Sequence, residues 1–169
     1  MTSAKQPKTQ ASSMSSVSPL AKLGLISGQG QLPLDILAAC QAEDRPLFVL
    51  GFSGQFDANP YQGVDHAVVS MGSVGKAIEL LHQNGVQQVV MAGSLKRPSL
   101  FNLKLDARGR QLLAKIGFQK TGDDRLLGLL IAELESEGFQ VVSTSDLLTE
   151  ATVSAGVLGQ HQPDRQAEA

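Results

Sequence analysis

Short blocks of consecutive apolar residues, each closed by glycine or a polar turn, alternate along this chain with segments whose apolar residues recur every three or four positions. The first block, Leu23-Gly24-Leu25-Ile26-Ser27, stops at Gly28-Gln29-Gly30. Pro33 then suits the first turn of a helix reaching about Ala42. Pro46-Leu47-Phe48-Val49-Leu50 reads as a second buried strand, followed by a loop from Ser53 to Gly63 rich in turn-forming residues. His66-Ala67-Val68-Val69 reads as a third strand. The next segment sets Val74, Ala77, Ile78 and Leu81 on one helical face, with Gly85 as its stop. Val86 to Ala92 is a fourth strand, ended by the loop Gly93-Ser94-Leu95-Lys96-Arg97-Pro98. Two helical patterns follow, one from about Ala107 to Ile116, the other from Asp123 through Leu127, Leu130, Ile131 and Leu134 to Gly138. Phe139 to Val142 makes a fifth strand, and a short helical turn from Ser145 to Leu148 closes the pattern.

Strands separated by helices must pair in parallel through right-handed crossovers. The pattern therefore predicts an α/β fold, a Rossmann-like doubly wound, mainly parallel five-stranded sheet with helices on both faces, over residues 23–150. Residues 1–22 are rich in Ser, Gln and Lys and lack acidic side chains. They read as a disordered tail, with a transit peptide as the alternative. Residues 151–169 turn polar and read as a linker or tail.

Composition narrows the picture. A chain of 169 residues with 42% hydrophobic content supports one core and not two. With 4% aromatic residues and no Trp, that core is built from Leu, Val, Ile and Ala, as buried parallel sheets are. Fourteen basic and 16 acidic residues leave a formal charge of -2, so there is no electrostatic footprint for nucleic acid or an anionic membrane surface. The single Cys40 excludes an internal disulfide and reads as a buried structural thiol in a reducing compartment. Apolar runs such as Leu47 to Phe52 fall far short of the roughly 20 residues a membrane-spanning helix needs.

In an open parallel sheet the ligand crevice lies beyond the carboxyl ends of the strands, so the loops after the strands are where chemistry is expected. Gly28-Gln29-Gly30 lets backbone approach a ligand, and the helix behind it aims N–H groups and a positive dipole end at the same spot. A tight strand-to-helix turn would need glycine there as well. A dinucleotide fingerprint would want Gly where Pro33 stands and a carboxylate after the second strand, where Leu50-Gly51-Phe52 has none, so NAD binding is not expected. Gly72-Ser73-Val74-Gly75-Lys76 is too short for a P-loop, yet Lys76 falls in a helix's first turn, as a candidate phosphate contact or a solvated surface lysine. Lys96 and Arg97, just past Gly93 and a buried strand, stand where a doubly wound sheet delivers its ligand, and Arg can hold phosphate through two bonds at once. Asp123 and Asp124 open a helix, where capping alone explains an acidic pair. His66, His82 and His161 form no ligand spacing with Cys40 or the aspartates, and no nucleophile with its base is evident.

Together these residues resemble one family. The opening Leu23-Gly24-Leu25-Ile26-Ser27-Gly28-Gln29-Gly30-Gln31-Leu32-Pro33 is similar to the amino terminus of the LpxI family, the UDP-2,3-diacylglucosamine pyrophosphatases of lipid A biosynthesis. Further matches follow in order: Val64-Asp65-His66-Ala67, Gly72 to Lys76, Val89 to Gly93, Lys96-Arg97-Pro98, Gly122-Asp123-Asp124, and Glu137 to Val142. The resemblance implies Mg²⁺-assisted attack of water on the pyrophosphate, releasing UMP and 2,3-diacylglucosamine 1-phosphate. It also implies a cytoplasmic homodimer working peripherally at a Gram-negative inner membrane. Its expected phosphate contacts are Gly28, Gln29, Gly30, Gly72, Lys76, Gly93, Lys96 and Arg97, with Asp123 and Asp124 as candidate metal ligands. The family's carboxyl-terminal domain, with its key catalytic aspartate, is not matched after Gly159. The expectation is therefore a truncated or divergent pyrophosphatase, and the alternative is a non-catalytic nucleotide- or phosphate-binding module.

Overall fold

The computed structural model describes residues 21–96, 103–116 and 123–154, without the side chains of 116, 123, 124 and 152–154. Its elements run β1 (Leu23–Ser27), α1 (Leu32–Ala42), β2 (Leu47–Phe52), a 3-10 turn (Asn59–Tyr61), β3 (Asp65–Val69), α2 (Val74–Gln83), β4 (Gln88–Ala92), α3 (Ala107–Ile116), α4 (Asp123–Ser136), β5 (Gln140–Val141) and α5 (Thr144–Ser154). The five strands form one parallel sheet in the order β3-β2-β1-β4-β5. This is the doubly wound α/β sheet that the alternation of strands and helices requires.

Each face of the sheet carries its own core. On one side Ile36, Leu37 and Cys40 of α1 and Leu147 of α5 pack on Leu23, Leu25, Val49 and Val90, with Tyr61 beside them. On the other, Ile78 and Leu81 of α2 and Leu134 of α4 cover Ile26, Phe48, Leu50 and Val89. The predicted α2 face is thus the buried one, with Val74 and Ala77 at its margin. Burying side chains of this size is worth about 1.5–3 kcal/mol each, which is why the central strands read as unbroken apolar runs.

Helix ends follow local chemistry. Gly85 and Gly138 take positive φ, 67° and 92°, directly after α2 and α4. The amides beyond them, Val86 and Phe139, donate back to Leu81 and Leu134, which closes both helices. Two segments differ from the sequence reading. The expected turn at Ser145–Leu148 is the start of an 11-residue helix, Thr144–Ser154, whose Leu147 packs on the α1 side of the core. The 53–63 loop contains a short 3-10 turn whose Tyr61 is 3% exposed, a core residue within a stretch that reads as polar. No helix among the described residues is long and apolar enough to cross a membrane.

Candidate functional site

The sheet order places β1 between β2 and β4, so the chain reverses its winding there, and the crevice beyond the ends of β1 and β4 is where such a fold receives a ligand. The two loops leaving these strands are joined backbone to backbone. Gly28 N–H donates to Ala92 O at 2.8 Å, Gln29 N–H to Ser94 O at 2.8 Å, and Ser94 N–H to Gln29 O at 2.9 Å. The approach is close enough to dictate glycine on both sides. A Cβ on Gly28 would come within 2.6 Å of Ser94 O, and one on Gly93, which also has φ 88°, within 2.7 Å of Gln29 O. Gly30, at φ 111°, is different, since nothing lies within 4 Å of where its Cβ would be. It is a conformational glycine facing open space.

Behind Gly30 stands the N-terminus of α1. Gln31 N–H and Leu32 N–H have no acceptor among the described residues, Pro33 has no N–H, and the Gln31 side-chain amide donates instead to Asp35 at 3.0 Å. Exposed helix-end donors of this kind favour an anion. Lys96, exposed and without an acidic partner among the described residues, follows Ser94 by two residues, at most about 7 Å of chain. Gln55, from the loop after β2, reaches Lys96 with both ends of its amide: Oε1 accepts Lys96 N–H at 2.6 Å and Nε2 donates to Lys96 O at 2.8 Å. Gly28, Gln29, Gly30, Gly93 and Lys96 therefore share one rim, to which Gln55 is added. Arg97 lies outside the described residues.

Gly72 and Lys76 stand elsewhere, beyond the end of the edge strand β3. There two first-turn amides of α2 are already taken. Asp106 Oδ2 accepts Gly75 N–H at 2.7 Å and Lys76 N–H at 3.2 Å, while its Oδ1 accepts Gly109 N–H at 2.7 Å in the first turn of α3. Lys76 Nζ pairs with Glu79 at 3.0 Å on the surface. Gly72 is glycine because the chain before α3 lies on it, a Cβ there falling 2.6 Å from Lys104 O. The carboxylate of Asp106 thus occupies the position a phosphate would take at this helix end.

A hard cation such as Mg²⁺ takes oxygen ligands, chiefly carboxylates. No three His, Cys, Asp or Glu side chains of the described residues converge to hold a metal, and the loops 28–31, 53–55 and 93–96 carry none of these residue types. The rim does not fit a metal site. The Asp123 and Asp124 side chains lie outside the described residues. A groove of about 290 Å³ lined by Lys22, Cys40, Arg45, Leu47 and Asp65 opens at the opposite, amino end of the sheet. Its charges are engaged in the fold. Lys22 pairs with Asp65 at 3.6 Å, and buried Arg45 donates to Ala21 O at 3.2 Å and to Gln88 Oε1.

Local sequence shows Asp106 as a possible cap of α3, but not its reach to α2, 31 residues back. Nothing adjacent to Gln55 signals its partner, 41 residues on.

Comparison with known proteins bears on what this rim serves. Residues 22–151 match the family model described as the LpxI N-terminal domain. The chain is also 35% identical over 145 residues to a protein of Caulobacter vibrioides named UDP-2,3-diacylglucosamine pyrophosphatase LpxI. That alignment covers 84% of this chain and 51% of the relative, so the chain spans about half the length of the protein it matches.

Proposed function

The chain belongs to the LpxI family, and on that premise we propose that it binds the diphosphate of UDP-2,3-diacylglucosamine at the β1/β4 rim and serves its hydrolysis to UMP and 2,3-diacylglucosamine 1-phosphate. The observation that carries this reading is the contrast between two helix ends. At the α2 N-terminus Asp106 binds the Gly75 and Lys76 amides, whereas at the α1 N-terminus, at the winding reversal, the Gln31 and Leu32 amides have no acceptor among the described residues, and the Lys96 backbone follows two residues after Ser94, which is bonded to Gln29. A diphosphate brings at least two negative charges. Helix-end N–H groups and a lysine compensate them, and the same groups stabilise the charge that shifts to the leaving phosphate as water adds to phosphorus and the bridging P–O bond breaks. The Mg²⁺ implied by the resemblance has no ligand set on this rim, so the described residues would meet the diphosphate directly. In this reading the chain works in the cytoplasm, as a homodimer, touching the inner membrane only where its lipid substrate resides.

One observation favours a second reading, a phosphate-binding half without hydrolysis of its own. The loops 28–31, 53–55 and 93–96 carry no carboxylate or histidine to take a proton from water. Both readings are tested on the chain itself, by UMP release from UDP-2,3-diacylglucosamine with and without Mg²⁺ and by calorimetric titration with inorganic pyrophosphate. Release above the uncatalysed rate supports hydrolysis; pyrophosphate binding without release supports the binding half; neither result would end the assignment of the rim.

A further inference from the structure

We infer that Gln55 is a positioning residue of this rim, clamping the Lys96 peptide so that the lysine is presented to an anion held by the α1 end; the inference rests on the reading of the rim as a diphosphate site. Gln55 uses its whole amide on one residue, accepting from Lys96 N–H at 2.6 Å and donating to Lys96 O at 2.8 Å. The N–H and C=O of one residue belong to the two peptide groups flanking its Cα, so this pair of bonds holds the Lys96 backbone on both sides of its Cα, as a hydrogen-bonded residue pair of a sheet ladder does. Lys96 is thereby held from one side by Gln55 and, through Ser94, from the other by Gln29.

The clamp is itself anchored in the core. Gln55 and Phe56 both donate their N–H to Phe52 O at 3.0 Å, a turn that fixes the direction in which Gln55 leaves β2. Phe56 then lies over Gly51, where its ring takes the space a Cβ would need, and stacks on Tyr61 with centroids 5.2 Å apart. Tyr61 in turn bonds the buried Ser27 hydroxyl at 2.9 Å, at the end of β1. From β1 through Tyr61 and Phe56 to Gln55, a line of fixed contacts runs from the core to the Lys96 backbone. An exposed lysine on a free loop would lose conformational entropy each time it met a ligand; one whose backbone is already fixed loses less.

The test is a double-mutant cycle on the full chain, read as pyrophosphate affinity by calorimetry with thermal melting as the control for folding. Lys96→Ala should weaken binding about tenfold, as loss of a charged hydrogen-bond donor does. Gln55→Leu, similar in size but unable to make either bond, should weaken it about 3- to 10-fold while melting stays close to wild type, because the freed Lys96 groups are exposed and water satisfies them. Gln55→Ala should do the same, which guards against a packing fault peculiar to leucine. In the double variant the two losses should fall short of additivity, since the clamp acts through Lys96. If Lys96→Ala leaves affinity unchanged, the diphosphate reading of the rim fails, and this inference with it. If Lys96→Ala weakens binding but Gln55→Leu and Gln55→Ala do not, or if their losses simply add, the site stands and the clamp is overturned.

Discussion

The Asp106 carboxylate and the Gly75 amide, 31 residues apart in the chain, meet at 2.7 Å at the N-terminal end of α2. Through its other oxygen Asp106 also caps α3, so one side chain satisfies donors of two helices and sets α3 against α2. Caps contribute about 0.5–2 kcal/mol each, so Asp106→Ala should lower unfolding free energy in urea by about 2–3 kcal/mol. Asp106→Asn, which keeps an acceptor, should cost less. Pyrophosphate binding at the rim should be unchanged in both variants, since Asp106 is not part of it. An alanine variant within about 0.5 kcal/mol of wild type would show that neither cap matters.

This arrangement shows what can and cannot be seen along the chain. Strands β1, β2 and β4 are legible because a sheet covered on both faces needs apolar residues almost without interruption, and Gly85 and Gly138 because a left-handed turn after a helix selects glycine. Gly28 and Gly30 look alike in sequence but answer different requirements, one a backbone only 2.6 Å from where its Cβ would be, the other a positive φ in open space. The Gly72 to Lys76 segment, too short for a P-loop, offers Lys76 as a candidate phosphate contact because a lysine in a helix's first turn suits any anion, and the carboxylate bound to its Gly75 and Lys76 amides is that of Asp106, 30 residues on. Gln55, Tyr61 and Asp106 were not legible in these roles, because each acts on a partner 30 or more residues away and polar residues in loops carry no periodicity.

The Gly28–Gly93 approach predicts a graded response to alanine. Gly93→Ala combines a positive φ with contacts of 2.7 and 2.9 Å to Gln29 O and the Pro33 ring, so it should be the most damaging, by about 2–4 kcal/mol. Gly28→Ala meets backbone at 2.6 Å without the φ penalty and should cost about 1–3 kcal/mol. Gly30→Ala has space but the wrong dihedral, and about 1 kcal/mol is expected. Urea denaturation of the three variants checks the order. A Gly30 variant less stable than the Gly93 variant would contradict it.

On the acid side, the Arg108 guanidinium beside Glu137 holds its carboxyl below the usual carboxylate value of 4.5, assisted by His82 and opposed by partial desolvation. A carboxylate depressed in the folded state stabilises the fold above its unfolded pKa, and the contribution disappears as pH falls through the folded value. Wild-type stability should therefore decline below about pH 4.5 more steeply than that of Glu137→Gln. Urea midpoints measured from pH 6 down to pH 3 decide it, and parallel curves would remove Glu137 from the acid response.

On the alkaline side the group to follow is Cys40, buried in the α1 core and pushed up to about 11 from an ordinary 9.0 by desolvation, with Arg45 pulling it down and Glu43 adding to the rise. Below pH 9 the thiol is protonated in folded and unfolded chains alike, so it adds no pH dependence. Between 9 and 11 the unfolded chain ionises first, which draws the equilibrium toward unfolding, so stability present at neutral pH is lost as pH rises through the folded value. Removing the thiol removes this loss. Cys40→Ala should start about 1–2 kcal/mol less stable because of the small cavity it leaves. Between pH 8 and pH 10.5 wild type should then lose about 1–2 kcal/mol more than the variant. Every other ionisable group is common to both proteins, so the difference between the two urea series isolates the thiol. A constant difference across that range would mean that Cys40 ionises as readily inside the fold as outside it.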